Sequence, residues 1–218
     1  MGHWSFVALI LGCCLTVVLS DNQSQQSNAI RLPGSQPSSK STRPPFYDKA
    51  RRARYIVHKA NWTVIATFST KPELVGRSFP APASISDGPV GKSSGTPYFY
   101  LAEIDSIMHD VAKNPNVTLS FSEAAFGDIA ECAVTSTSDP ESPLCARLML
   151  FGQLVHVTDP KETSFAKEAL FSRHPLMPTW PKDHDFGFKK LIVTDVWILD
   201  FYGGGSSVSV DDYYNALP

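Results

Sequence analysis

The stretch Gly91-Lys92-Ser93-Ser94-Gly95 places a serine between glycines in the G-x-S-x-G spacing. That spacing can raise a nucleophilic hydroxyl on a sharp turn from strand to helix. Gly91-Lys92-Ser93 also matches the G-K-S end of a phosphate-binding loop. Both chemistries require a strand before the motif and a helix after it. Here the turn sequence Ser86-Asp87-Gly88-Pro89 precedes it, and the β-rich Thr96-Pro97-Tyr98-Phe99-Tyr100 follows. Ser86 also stands where the phosphate loop needs its first glycine. The segment therefore reads as a loop between two strands, without hydrolase or nucleotide chemistry.

The remaining chemistry-bearing residues do not assemble in sequence. His58, His109, His156, His174 and His184 are scattered, with no H-E-x-x-H or C-x-x-C spacing to hold a metal. Asp183-His184-Asp185 could orient an imidazole for base chemistry, but no nucleophile pairs with it in sequence. Lys49, Arg51, Arg52, Arg54 and Lys59 crowd one segment. They read as the solvated face of an amphipathic helix rather than a nucleic-acid patch. A net charge of -2, from 19 basic and 21 acidic residues, advertises no polyanionic partner. No catalytic residue and no metal site emerge.

The positioning elements follow from periodicity. Phe46, Ala50, Ala53 and Val57 fall on one helical face. Trp62, Val64, Ala66 and Phe68 alternate with Thr63, Ile65, Thr67 and Ser69, and Val117, Leu119 and Phe121 alternate with Thr118, Ser120 and Ser122, which predicts two strands. Residues 98–101, 147–157 and 191–201 are further β-rich runs, and 103–112 and 161–172 read as helices. Pro175, Pro178 and Pro181 impose an irregular connector. Long strands with few short helices predict an antiparallel barrel of mixed α and β character.

Residues 1–20 carry an apolar run ending in small residues and followed by a polar stretch, the form of a secretory signal peptide cleaved near Ser20. No later run is long and apolar enough to span a bilayer, so no membrane span is expected after cleavage. Residues 21–44 are rich in Ser, Gln, Asn and Pro and read as a disordered polar linker, which leaves 45–218 as the folded domain. Cys13 and Cys14 leave with the leader, and in an oxidising compartment Cys132 and Cys145 are expected to form one disulfide closing a surface loop. Secretion also gives meaning to the N-x-[ST] sequons at Asn22, Asn61 and Asn116, the candidate glycosylation sites.

Several collinear segments resemble the CREG family of secreted glycoproteins. They are residues 85–101 (ISDGPVGKSSGTPYFYL), Ser142-Pro143-Leu144-Cys145 with its upstream partner Cys132, 171–181 (FSRHPLMPTWP), 196–204 (VWILDFYGG) and Asp212-Tyr213-Tyr214-Asn215. The resemblance covers about 45–215 and implies an α+β fold, an antiparallel FMN-binding split β-barrel with flanking helices. It further implies a homodimer without enzymatic activity or bound cofactor, secreted or endolysosomal, regulating growth and differentiation. The cation-independent mannose-6-phosphate receptor is the partner it implies, reached through glycans. Val157-Thr158-Asp159 and Ile192-Val193-Thr194 stand where the family resemblance leads one to expect sequons, and Asn116 is the candidate substitute. The alternative is an FMN-dependent oxidoreductase of the same superfamily, and if FMN binds, Ser69, Thr70, Arg77 and Lys92 occupy suitable loop or strand-end positions for its phosphate.

Overall fold

The computed structural model describes residues 42–202 and 204–218. The expected leader, Asn22 and most of the expected linker lie outside the described residues. In chain order the elements are α1 (Lys49–Lys59), β1 (Trp62–Phe68), β2 (Ser78–Ser84), β3 (Tyr98–Ala102), α2 (Ser106–Val111), β4 (Asn116–Ser122), β5 (Arg147–His156), α3 (Pro160–Arg173), β6 (Phe186–Leu199), β7 (Gly205–Val208) and α4 (Val210–Asn215). The seven strands form one sheet in the order β2-β1-β4-β5-β6-β3, with β7 also paired to β6. Every ladder is antiparallel. The architecture is the α+β, curled antiparallel half-barrel that the resemblance implies.

The long strand β6 organises the sheet. It pairs with β5 along most of its length, with β3 over its first half and with β7 over its second. Its register against β5 shifts at Phe151/Gly152, so Thr194 is an extra residue in the ladder. Such a bulge sharpens the local twist and helps the sheet to curl. Gly152 is required there, because a Cβ would lie 2.0 Å from the Ile192 carbonyl oxygen.

The inward side chains of the sheet, including Ile65, Leu119, Leu148, Leu150, Val196 and Ile198, are fully or almost fully buried. They join Ala53, Ile56 and Val57 of α1, Ile107 and Val111 of α2 and Tyr213 of α4 in one core. A smaller core lies against β3 and β6, where Tyr98 packs with Ala166 and Leu170 of α3 and with Met177. Tyr100, Phe171, Trp180, Phe186 and Phe188 extend it as stacked and edge-on rings.

The structure departs from the sequence expectations at identifiable points. Helix α1 begins at Lys49, because the Asp48 carboxylate caps it by accepting from the Arg51 backbone N–H. Phe46 thus precedes the helix and stacks on Phe201 with centroids 3.8 Å apart. Strand β6 begins at Phe186, ahead of the apolar run at 191. Strand β2 carries Pro80 and Pro82, yet it pairs with β1 at the sheet edge, where a proline removes no ladder bond on the open side.

Candidate functional site

The loop between β2 and β3, which carries the G-x-S-x-G spacing, is organised by a fully buried carboxylate, Asp87. His58 Nδ1 lies 2.7 Å from Asp87 Oδ1, while the Ser93 hydroxyl and the Gly95 N–H both donate to Oδ2. The Arg54 guanidinium donates to Ser93 Oγ at 2.9 Å and to the Tyr214 carbonyl at 3.0 Å. Arg173 donates to the Gly88 carbonyl and has Nη2 3.2 Å from His58 Nδ1. Tyr213 donates its hydroxyl to the Gly95 carbonyl at 2.7 Å. Burial pushes the Tyr213 phenol well above its usual range, so it remains a neutral donor.

These residues have the types of a hydrolytic triad but not its order. A serine nucleophile needs an imidazole against its hydroxyl, with the carboxylate behind the imidazole. Here the carboxylate lies between serine and histidine and accepts from Ser93 itself. The His58 imidazole bonds to the far oxygen of that carboxylate and not to the Ser93 hydroxyl. The network instead fastens the loop to α1, α3 and α4, three elements remote in sequence. Gly95 fits close to Arg54 only because it lacks a side chain and adopts φ +79°, where a Cβ would sit 2.7 Å from the guanidinium carbon.

The four residues proposed for an FMN phosphate are not brought together. Ser69, Thr70 and Arg77 share the β1–β2 hairpin, where the Ser69 N–H donates to the Arg77 carbonyl at 2.8 Å. Lys92 lies in the loop that leaves the far end of β2. Thr70 gives both its N–H (2.7 Å) and its hydroxyl (2.8 Å) to Asp110, which also accepts from Thr67 at 2.8 Å. Burial would raise the Asp110 carboxyl, but those bonds from Thr70 and Thr67 outweigh it and hold the group below its usual value. Asp110 thus occupies both donors of Thr70, and a dianion placed there would face like charge. With Thr70 taken and Lys92 in a different loop, the four residues do not form one phosphate site.

A second buried acid sits at the other end of α1. Glu123 accepts from Arg43 at 2.6 and 3.0 Å, from Arg52 at 2.9 and 3.1 Å and from the Ala146 N–H at 3.0 Å. Burial opposes its charge, yet the bonds from both guanidiniums keep the carboxyl below the ordinary range. Asp200 lies beside it, 3.7 Å from Arg52 Nε and 4.0 Å from Lys49 Nζ, and its Oδ2 accepts no hydrogen bond. Burial raises the Asp200 carboxyl, with Arg52 and Lys49 offsetting only part of that effect.

This corrects the reading of the basic segment as a solvated face. Arg52 and Arg54 are only 4% and 2% exposed. Each has a carboxylate or carbonyl partner from a distant segment, which sequence spacing cannot show. The Cys132–Cys145 disulfide is present and adjoins the Glu123 cluster through Leu144 and Ala146, which bond to Arg43 and Glu123.

Among the described residues, no group of three His, Cys, Asp or Glu side chains could hold a metal ion, and no helix is long and apolar enough to cross a membrane. His184 stacks beside Phe186 in a short turn. What stands open is the outer face of the sheet. Across β4, β5 and β6, Ser120 opposes Met149 and Met149 opposes Trp197. Val64 opposes Ser120 from β1. Trp197, Phe151, Ile192 and Phe68 are 39%, 37%, 48% and 54% exposed. Trp197 lies flat over Gly205 of β7, where a Cβ would meet the indole at 2.4 Å. Asn61 and Asn116 are both exposed, Asn61 before β1 and Asn116 at the first position of β4.

Comparison with known proteins bears on this geometry. Solved structures with the same fold include a heme binding protein from Mycobacterium smegmatis (TM-score 0.60, 20% identity, covering 80% of this chain and 62% of that one). ChuZ from Campylobacter jejuni gives a TM-score of 0.57 at 14% identity, covering 80% and 66% of the two chains. At these identities the likeness shows the fold alone. The sequence relatives are nearer. Protein CREG1 of Homo sapiens is 41% identical over 172 residues, 79% of this chain and 76% of that protein. Protein CREG1 of Gallus gallus is 40% identical over 179 residues, 81% and 91% of the two. The family model described as "CREG, beta-barrel" matches residues 44–215, taking in the Asp87 loop, the disulfide and every strand. With the whole sheet and both buried acid clusters inside that match, the chain belongs to the CREG beta-barrel family.

Proposed function

We propose that the protein is a secreted or endolysosomal, non-enzymatic glycoprotein that works as a homodimer and regulates growth or differentiation by binding a receptor or ligand. One contrast carries this reading. The groups with catalytic potential, Asp87, His58 and Ser93, bond to one another inside the fold, while the outer sheet face presents Trp197, Met149 and Phe151 to solvent. Contiguous exposed apolar surface on a soluble protein marks an interaction site. A second copy packing on the Met149–Trp197 part of that face is the dimer we propose. Sugars on Asn61 or Asn116, both exposed, are the groups through which the cation-independent mannose-6-phosphate receptor would capture the chain.

The second reading is an FMN-dependent oxidoreductase. The fold is compatible with it, since a relative in shape is a heme binding protein, so such a barrel can serve a planar cofactor. Against it stand Thr70 and Thr67, whose hydroxyls are given to Asp110. The deciding experiment is a visible absorbance spectrum of the purified protein, then an FMN titration, with sedimentation on the same sample. A colourless protein that ignores FMN and sediments as a dimer is expected. Bound or tightly acquired flavin overturns the non-enzymatic reading, and a monomer overturns the dimer.

A further inference from the structure

The outer face is not uniform. Where β1, β4 and β5 meet there is a hollow of about 350 Å³ whose lining includes Ala66, Phe68, Asn116, Thr118, Phe151 and Thr194. Small residues form its floor: Ala66 opposes Thr118, and Gly152 follows Phe151, which opposes Thr118 from the other side. The rings of Phe68 and Phe151 wall it and are 54% and 37% exposed. Its size falls at the lower end of small-ligand sites, about 300–1,000 Å³. The sequon Asn116-Val117-Thr118 lies in it, with Asn116 at the rim.

We infer that this hollow is filled by the protein's own N-linked sugar, attached to Asn116, whose first N-acetylglucosamine packs between Phe68 and Phe151. The inference rests on the secretory reading above, since only a chain passing through that pathway acquires the sugar. The chemistry of the walls suits this occupant. A pyranose ring presents C–H groups that pack on the electron-rich face of an aromatic ring. Its hydroxyl and acetamido groups find Thr118, Thr194 and Ser78 hydroxyls around the same hollow. Asn116 Nδ2, the atom that would be glycosylated, is held only by Asn114 Oδ1 at 3.0 Å, an exposed contact. Strand β4 alternates, so Asn116 and Thr118 lie on the outer face while Val117 is buried. Attachment and hollow therefore share one face. The sugar covers the Phe68–Phe151 end and leaves the Met149–Trp197 end to a partner.

The test uses the full chain secreted from cells fed ¹³C-labelled N-acetylglucosamine, with glycans trimmed enzymatically to the first residue. Glycopeptide mapping is expected to find Asn116 occupied, and the C–H signals of its sugar are expected to move upfield under the ring currents of Phe68 and Phe151. Asn116→Gln removes those signals, and Phe68→Leu with Phe151→Leu returns them to the positions of an unpacked sugar. Occupied Asn22 or Asn61 with empty Asn116 overturns the inference and leaves the secretory reading intact. Unshifted sugar signals that ignore the leucine pair also overturn it. No sugar at any sequon overturns the inference as well, whereas a chain that is retained in the cells and never enters the medium or the endolysosomes overturns the secretory reading itself.

Discussion

The two acids at the end of α1 respond to neutralisation with opposite signs. Glu123 is fully buried between two guanidiniums, so Glu123→Gln leaves Arg43 and Arg52 without their bidentate partner. Removing one member of a buried ion pair costs about 3–5 kcal/mol. In a domain of this size each kcal/mol shifts Tm by about 2–4 °C, so a fall of about 6–20 °C is expected. A carboxyl held below its unfolded pKa contributes stability that is present above the unfolded value and is lost as pH falls through the folded one. The Glu123→Gln deficit is therefore full at pH 7.5 and shrinks as pH drops below about 4, the ordinary carboxylate value. Asp200 behaves oppositely, because burial raises its carboxyl and Oδ2 accepts no bond. Its raised pKa means stability that is present at low pH and lost as pH rises through the folded value. Asp200→Asn is expected to raise Tm at pH 7.5, and the gain should vanish on acidification. Thermal melts of both variants from pH 3 to 7.5 decide the matter. Same-sign shifts at pH 7.5, or a Glu123→Gln effect that does not change with pH, would refute the electrostatic account.

Three further outcomes are expected. Replacing Cys132 and Cys145 by alanine removes a cross-link between positions 13 apart and should cost about 3 kcal/mol in urea unfolding, and peptide mapping without reductant should recover the two cysteines joined. Ser93 donates to the buried Asp87 rather than facing an imidazole, so a fluorophosphonate probe should leave it unlabelled; stoichiometric labelling would show that the hydroxyl is activated after all. Gly152→Ala would force a Cβ to 2.0 Å from the Ile192 carbonyl and should destabilise far more than an exposed-strand glycine substitution, with the β5–β6 amides losing hydrogen-exchange protection first.

The strands β1 and β4 were legible because a strand writes a period of two into the residues: Val117, Leu119 and Phe121 turn inward as the pattern says, whereas β1 buries Thr63, Ile65 and Thr67 and leaves Trp62 and Phe68 exposed, because Ile65 makes its second face apolar too and tertiary packing chose that face. The cysteine pair was legible because the expected leader implies an oxidising compartment, in which two thiols pair. Helix α4 and strand β7 left no such mark. Val210–Asn215 is too short for a helical period, and Gly205–Val208 is a strand only because β6 offers it an edge. Only tertiary structure decided the roles of the charged residues. Arg52 and Arg54 read as solvent-facing because their partners Glu123, Ser93 and Tyr214 come from segments far along the chain, and spacing reports only local neighbours. The same holds for Asp87 and Ser93. Sequence places a serine between glycines, but whether it attacks or merely donates depends on which side of the carboxylate the histidine lies, and that follows from how α1 packs against the loop.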